Sequence, residues 1–248
     1  MPVPVCLSFD NMGLAADVGR GTASAPDANE PGLRVGYPAI LDLLNRHGVT
    51  STFFVEGWNG VHHPDRVAEL LGAGHEVAVH GWVHERWQDL DADTERELLT
   101  RAIDALTGCG ADIQGFRAPG GHRSAATMQV LADLGLRYDS SLDPAGAHLD
   151  DTGIAVLPFE WPHVDWHWFG AQDPPAAPED FAAALRRGLA AAAASAEPLV
   201  AIVHARTSAL AADRLEVVES FVSAVLDDDR FELLPLRALA TRLIGDTP

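Results

Sequence analysis

Short apolar runs alternate with longer amphipathic segments along this chain, the pattern of a largely parallel sheet covered by helices. The apolar runs predict strands over 3–9, 50–55, 76–79, 113–117, 154–157, 199–204 and 231–234. Apolar residues at helical spacing predict helices over 37–46, 65–71, 94–107, 125–134, 179–194 and 215–226. Gly48, Gly74 and Gly135 each follow a helical pattern, where glycine accommodates the left-handed cap. Two stretches lack a period, 13–32 and 143–153. The first is expected to be a loop after the opening strand, where α/β folds place binding residues. Neither has the character of a linker and no repeat is present, so one domain is expected over 1–248.

Composition changes this picture little, and charge changes it more. At 47% hydrophobic and 21% charged residues the chain can bury a sizeable core. Seventeen basic against 36 acidic residues leave a formal charge of −19. Such a surface repels phosphate backbones and anionic lipid, so neither nucleic acid nor a membrane is an expected partner. Nor does it suit a polyanionic substrate. The first residues, Met1 to Leu7, carry no basic n-region and too short an apolar run for an export signal. The two cysteines, Cys6 and Cys109, read as buried thiols rather than a disulfide, and a cytoplasmic location is the expectation.

Polar residues suited to catalysis sit where the apolar strand patterns end. Ser8-Phe9-Asp10-Asn11 closes the first strand, His80 the third, Arg117-Ala118-Pro119 the fourth, and His204 ends Val200-Ala201-Ile202-Val203. In a parallel α/β barrel those ends share one face, so scattered residues converge. His80 and His84 have a spacing that lets two imidazoles share one divalent ion. Eleven histidines in 248 residues produce roughly half of one such pair by chance. His163 and His167 are also four apart. The first pair differs in following a strand directly and in having Glu85 beside it, and spacing leaves ligands and structural histidines both open. Asp10 is either a turn residue or a general base, and Arg117 either a surface charge or the partner of a buried carboxylate. His204 is either a hydrogen-bonded core residue or a catalyst. The aromatic cluster from Trp161 to Phe169 either packs a loop or forms a stacking wall.

Taken in order, these pieces resemble the motif series of the polysaccharide deacetylase family, the NodB-like enzymes of carbohydrate esterase family 4. The series comprises Ser8-Phe9-Asp10-Asn11, His80 with His84, Arg117 with Pro119, Asp165-Trp166, and His204. The text between them is similar too, as in Thr52-Phe53-Phe54-Val55 and Tyr138-Asp139-Ser140-Ser141. The resemblance implies a distorted (β/α) barrel of about seven parallel strands that hydrolyses an amide, typically removing an N-acetyl group from an amino sugar. It implies that His80, His84 and residue 11 hold a divalent metal such as Zn²⁺. Asp10 would then activate water, Arg117 orient Asp10, Asp165 support the machinery and His204 protonate the leaving amine. Trp82, Glu85, Pro119, Trp161 and Trp166 would contact substrate. The text from His80 to Glu85 is nearest to members acting on small molecules inside the cell, the allantoinase-like and cyclic-imide-hydrolysing proteins. A small-molecule substrate is therefore expected, and a homo-oligomer is compatible with it.

Asn11 departs from the family, which usually has aspartate there as the third protein ligand. Asparagine offers an oxygen without charge, so a looser metal site is expected, with Asp10 as the nearby anion drawn toward the ion. Three functions follow: deacetylation of a small N-acylated substrate, opening of a cyclic amide, or a silent binding barrel that has lost tight metal.

Overall fold

The computed structural model describes residues 1–245. Burial on both faces explains why β1 (Val3–Asp10) reads as continuously apolar rather than alternating. Its odd-numbered residues Val5, Leu7 and Phe9 face the helices, while Cys6 joins Phe54, Ala78, Tyr138, Leu157 and Ile202 inside the curl of the sheet. Period-two alternation then turns Ser8 and Asp10 to the same interior side as Cys6.

The other strands are β2 (Thr52–Val55), β3 (Glu76–Val79), β4 (Gly115–Phe116), β5 (Tyr138–Asp139), β6 (His148–Leu149), β7 (Ala155–Val156), β8 (Leu199–His204) and β9 (Phe231–Leu233). Their order across the sheet is β6, β7, β5, β4, β3, β2, β1, β8, with β9 beside the start of β1. Every pairing among the described residues is parallel except β6 with β7, so eight parallel strands, one more than the seven expected, form a half-barrel. The sheet does not close. Only the bridge between Val164 and Ile202 reaches the free edge of β8.

The helices are α1 (Ala15–Gly19), α2 (Tyr37–His47), α3 (Gly57–His62), α4 (Pro64–Gly72), α5 (Ala92–Gly108), α6 (Thr127–Asp133), α7 (Asp165–Phe169), α8 (Pro178–Ser195), α9 (Ala212–Leu226) and α10 (Leu236–Gly245). The six predicted helices are all present within a few residues, and Gly48, Gly74 and Gly135 adopt the left-handed conformation expected of caps. Leu236 and Leu239 of α10 join the interior cluster, and the start of α10 is tied to the first residues of β2 and β3 through Thr52 Oγ1 and Glu76 Oε2. That helix plugs the end of the curl opposite the C-terminal strand ends.

Several elements correct the expectation. β5 and β6 are two-residue strands that hold their shape only by pairing, so no run of apolar residues announces them. The stretch 143–153 includes β6, and 13–32 includes α1. α3 contains two glycines that weaken it as a helix on its own. They are there for packing: a Cβ on Gly57 would lie 2.4 Å from Ala102 Cα of α5. Cys6 and Cys109 are free thiols, and Cys109 is only half-buried rather than buried. No helix of the described residues is long and apolar enough to cross a membrane.

Candidate active site

The parallel register brings the polar strand ends level. Asp10 pairs with His204 across β1 and β8 and with Phe54 across β1 and β2, while Val79, just before His80, pairs with Phe116, just before Arg117. Five sequence-predicted residues, Asp10, His80, His84, Arg117 and His204, thus meet at one end of the half-barrel. Their charges act on one another: both imidazoles of the pair feel His204, and His84 and His204 feel Asp10.

Two buried dyads organise the site. In the first, Arg117 Nη1 donates to Asp10 Oδ1 at 2.6 Å and to Ser8 Oγ at 2.9 Å. Its Nε and Nη2 donate to the carbonyl and hydroxyl of Ser140, at 2.9 and 2.8 Å. The guanidinium stacks on Phe54 at 3.9 Å and is 1% exposed, so its geometry is over-determined and Asp10 is aimed by it. In the second, His204 Nδ1 donates to Asp165 Oδ1 at 2.6 Å, while Asp165 Oδ2 accepts from the His204 amide and from Ser208 Oγ. This leaves His204 Nε2 for chemistry. Burial by itself lowers the pKa of His204, but the adjoining Asp165 carboxylate outweighs it and the net shift is upward.

His80 Nδ1 lies 2.9 Å from the Arg117 carbonyl, which can only accept, so Nδ1 carries the proton and Nε2 the lone pair. The His80 and His84 rings are 5.1 Å apart. Burial pushes both pKa values down to about 3, so both are neutral ligands-in-waiting at ordinary pH. Gly81, left-handed between them, is required: a Cβ there would lie 2.6 Å from Glu85 Oε2. Asn11 is also left-handed, a conformation asparagine tolerates, and its buried Oδ1 has no hydrogen-bond partner. An orphaned buried oxygen directly after Asp10, at the end of the strand that meets His204, is a donor that fits a divalent cation. Among the described residues no three His, Cys, Asp or Glu side chains come together for a metal, and Asn11, an amide, lies outside that set.

The remaining predicted residues divide. Glu85 accepts from the amides of Trp82 and Val83 with its two oxygens, so it braces the loop, and Trp82 is buried with Arg101 stacked on it at 3.6 Å. Glu85 thus has both oxygens, and Trp82 one ring face, engaged within the protein. Pro119 is buried behind Arg117. Asp10 is held by Arg117 through Oδ1. Trp161 and Trp166 lie 6.4 Å apart at the rim, Trp166 being 45% exposed. Trp161 lines a cavity of about 1010 Å³ in the open seam between β7 and β8, with Phe159, His163, Arg187 and Leu199. Reading the sequence missed Ser140, Ser208 and Glu56. Glu56 alone carried a signal, as a charged residue directly after an apolar strand.

The mouth is nearly covered. Asp10 is 5%, His80 2% and Arg117 1% exposed. α1 packs so closely on the His80–His84 loop that a Cβ on Gly19 would lie 2.1 Å from the Val83 carbonyl oxygen. Arg206, two residues after His204, pairs with Asp17 and Glu30 and ties this strap down.

The family model for polysaccharide deacetylase matches residues 5–138. A peptidoglycan deacetylase of Helicobacter pylori is 29% identical over 151 residues, covering 59% of this chain and 50% of that one. This chain spans about half the length of the curated relatives it matches. The crystal structure of a candidate polysaccharide deacetylase from Mycobacterium smegmatis superposes with a TM-score of 0.91 at 28% identity, over 100% of this chain and 93% of the other. That of the Puue allantoinase shares the fold, with a TM-score of 0.82 at 20% identity over 99% and 91% of the two chains. The motif series, the half-barrel and the match over more than half its length agree: this chain belongs to the polysaccharide deacetylase family.

Proposed function

We propose that this protein hydrolyses the amide bond of a small N-acylated substrate, amino-sugar-like in kind, with the help of a divalent metal. The observation that carries the reading is the pairing of two different dyads on adjacent strands. Asp10–Arg117 supplies a base with a fixed aim, and His204–Asp165 supplies an acid with a raised pKa. Asn11 Oδ1, His80 Nε2 and His84 would hold the ion, which supplies a Lewis acid that polarises the carbonyl and acidifies water. Asp10 takes the proton of the attacking water as its oxygen bonds to the acyl carbon. His204 Nε2 gives its proton to the nitrogen as the carbon–nitrogen bond breaks, releasing an amine rather than an amide anion. Arg117 keeps Asp10 in line, and Asp165 keeps the imidazole in the tautomer that can donate.

The covered mouth supports a small substrate, since a polymer strand would have to displace the strap from α1 to Glu30. Opening of a cyclic amide uses the same groups, with the nitrogen retained in the product. An assay of acetate release from N-acetylglucosamine and its short oligomers, alongside chitin and peptidoglycan, tests the proposal, with hydantoin-type rings as the comparison. Release from the small amides alone is the expected outcome. Turnover of polymer only would refute the small-substrate reading. Ring opening without acetate release would shift it to cyclic amides. Inertness toward all of these after metal loading would leave a binding barrel.

A further inference from the structure

The charge at this site has an unclaimed member. Asp10 is matched by Arg117, Asp165 by His204 and Glu30 by Arg206. Glu56 is fully buried, and among the described residues it has no ion-pair partner. It directly follows β2, which lies in the sheet between β1, leading to Asn11, and β3, leading to His80. The backbone around it is joined to the loop that carries His80 and His84. Val55 O accepts from the His80 amide at 3.0 Å, and the amides of Gly57 and Trp58 donate to the carbonyls of Gly81 and Trp82, each at 3.0 Å.

Its side chain grips the third ligand's turn. Glu56 Oε2 accepts from the Met12 amide at 3.1 Å and from Asn59 Nδ2 at 2.8 Å, and Asn59 Nδ2 also donates to the Met12 carbonyl at 2.8 Å. Both polar backbone atoms of Met12 are therefore clamped, next to a left-handed Asn11. Among the described residues Glu56 Oε1 is buried without a hydrogen-bond partner. A carboxyl held dry takes up a proton, and burial pushes the pKa of Glu56 up to about 8, unless something positive completes the site.

We infer that Glu56 supplies the negative charge that Asn11 lacks, as a positioning residue that holds the Asn11–Met12 turn and stabilises a divalent ion touched only by neutral side chains. This rests on the metal-dependent reading above. Among the described residues no three acidic or histidine side chains cluster for direct ligation, so Glu56 acts one layer behind the ligands. A divalent cation beside it favours its ionised form. In effect the carboxylate usual at position 11 has moved one strand over.

The test is calorimetric titration of Zn²⁺ into the metal-stripped full chain. Glu56→Gln keeps the size and the acceptor for Met12 but removes the charge. It should weaken Zn²⁺ binding about 10–100-fold. Asn11→Asp in the same background should restore most of the loss, because it returns a carboxylate to the site. A structural clamp alone would give no more than the gain that Asn11→Asp brings in wild type. Affinity of Glu56→Gln within about twofold of wild type would overturn the inference while leaving the metal-dependent reading intact. Wild type that takes up no Zn²⁺ would overturn both. Should Glu56→Gln not fold, Glu56→Asp keeps the charge and loosens the clamp. It should then bind Zn²⁺ within about tenfold of wild type, and loss of binding there would refute the role of the charge.

Discussion

His80 and His84 share their spacing with His163 and His167, yet the two pairs have little else in common. His80 ends a buried strand, its Nδ1 is spent on the Arg117 carbonyl, and its ring meets that of His84. His163 closes a short turn and lies against α8, so that a Cβ on Gly188 would come within 2.5 Å of its Nε2. His167 sits on α7 with its ring against Trp168. Four-residue spacing is a property of the chain. A shared ligand site also needs a strand end to aim the first ring, a left-handed turn to bring back the second, and an acceptor that settles the tautomer.

Breaking the first pair should have the largest effect. His80→Ala or His84→Ala should abolish metal uptake and drop kcat toward the uncatalysed rate, a fall on the order of 10⁴-fold or more. His163→Ala and His167→Ala should leave metal content unchanged. Metal analysis of the four purified variants decides it, and equal losses in both pairs would erase the distinction.

Next in size is His204, which stands outside both pairs. His204→Ala should lower kcat by about 10²–10⁴-fold with metal content unchanged. The sign of its pH dependence follows from the raised pKa. The protonated acid is fully available below the ordinary histidine value and is lost as pH rises through the raised folded value. Stability from the Asp165–His204 pair disappears over that same window. Asp165→Asn should therefore move the alkaline limb of the kcat profile to lower pH, and an unmoved limb would assign it to another group.

Asn11→Asp sharpens the comparison at the third ligand. It should tighten Zn²⁺ binding by about tenfold, since the left-handed backbone accepts either residue and the carboxylate adds charge. Equal affinity would mean that residue 11 faces away from the ion. Smallest is Trp166→Ala, beside the second pair: KM should rise severalfold while stability changes by less than about 0.5 kcal/mol, because the ring is 45% exposed. Unchanged KM with a marked drop in thermal midpoint would instead make the aromatic cluster a packing feature.

Much of the site was readable because its residues occupy strand ends, which periodicity locates. Asp10, His80, Arg117 and His204 each terminate an apolar run, and parallel pairing leaves such ends no choice but to meet. The bracing by Glu85 was not legible, because adjacency in sequence says nothing about whether a carboxylate turns to the mouth or folds back on its own loop. Ser140 and Ser208 were invisible for a related reason. A serine hydroxyl becomes part of a dyad only when packing places it within 3 Å of a charge, and nothing local marks it.

While the resemblance to the family implied the barrel and the departure at Asn11, the order of apolar and amphipathic segments by itself determined a largely parallel sheet covered by helices and its polar strand ends. These depend on burial and backbone geometry within short windows of chain. The tertiary structure alone decided which charges are matched. Asp10 and Arg117 are 107 residues apart in sequence, His204 and Asp165 39, and Glu56 and Met12 44. Electrostatic pairing in a dry interior depends on distances of a few ångströms, and those are created only when separate strands come together.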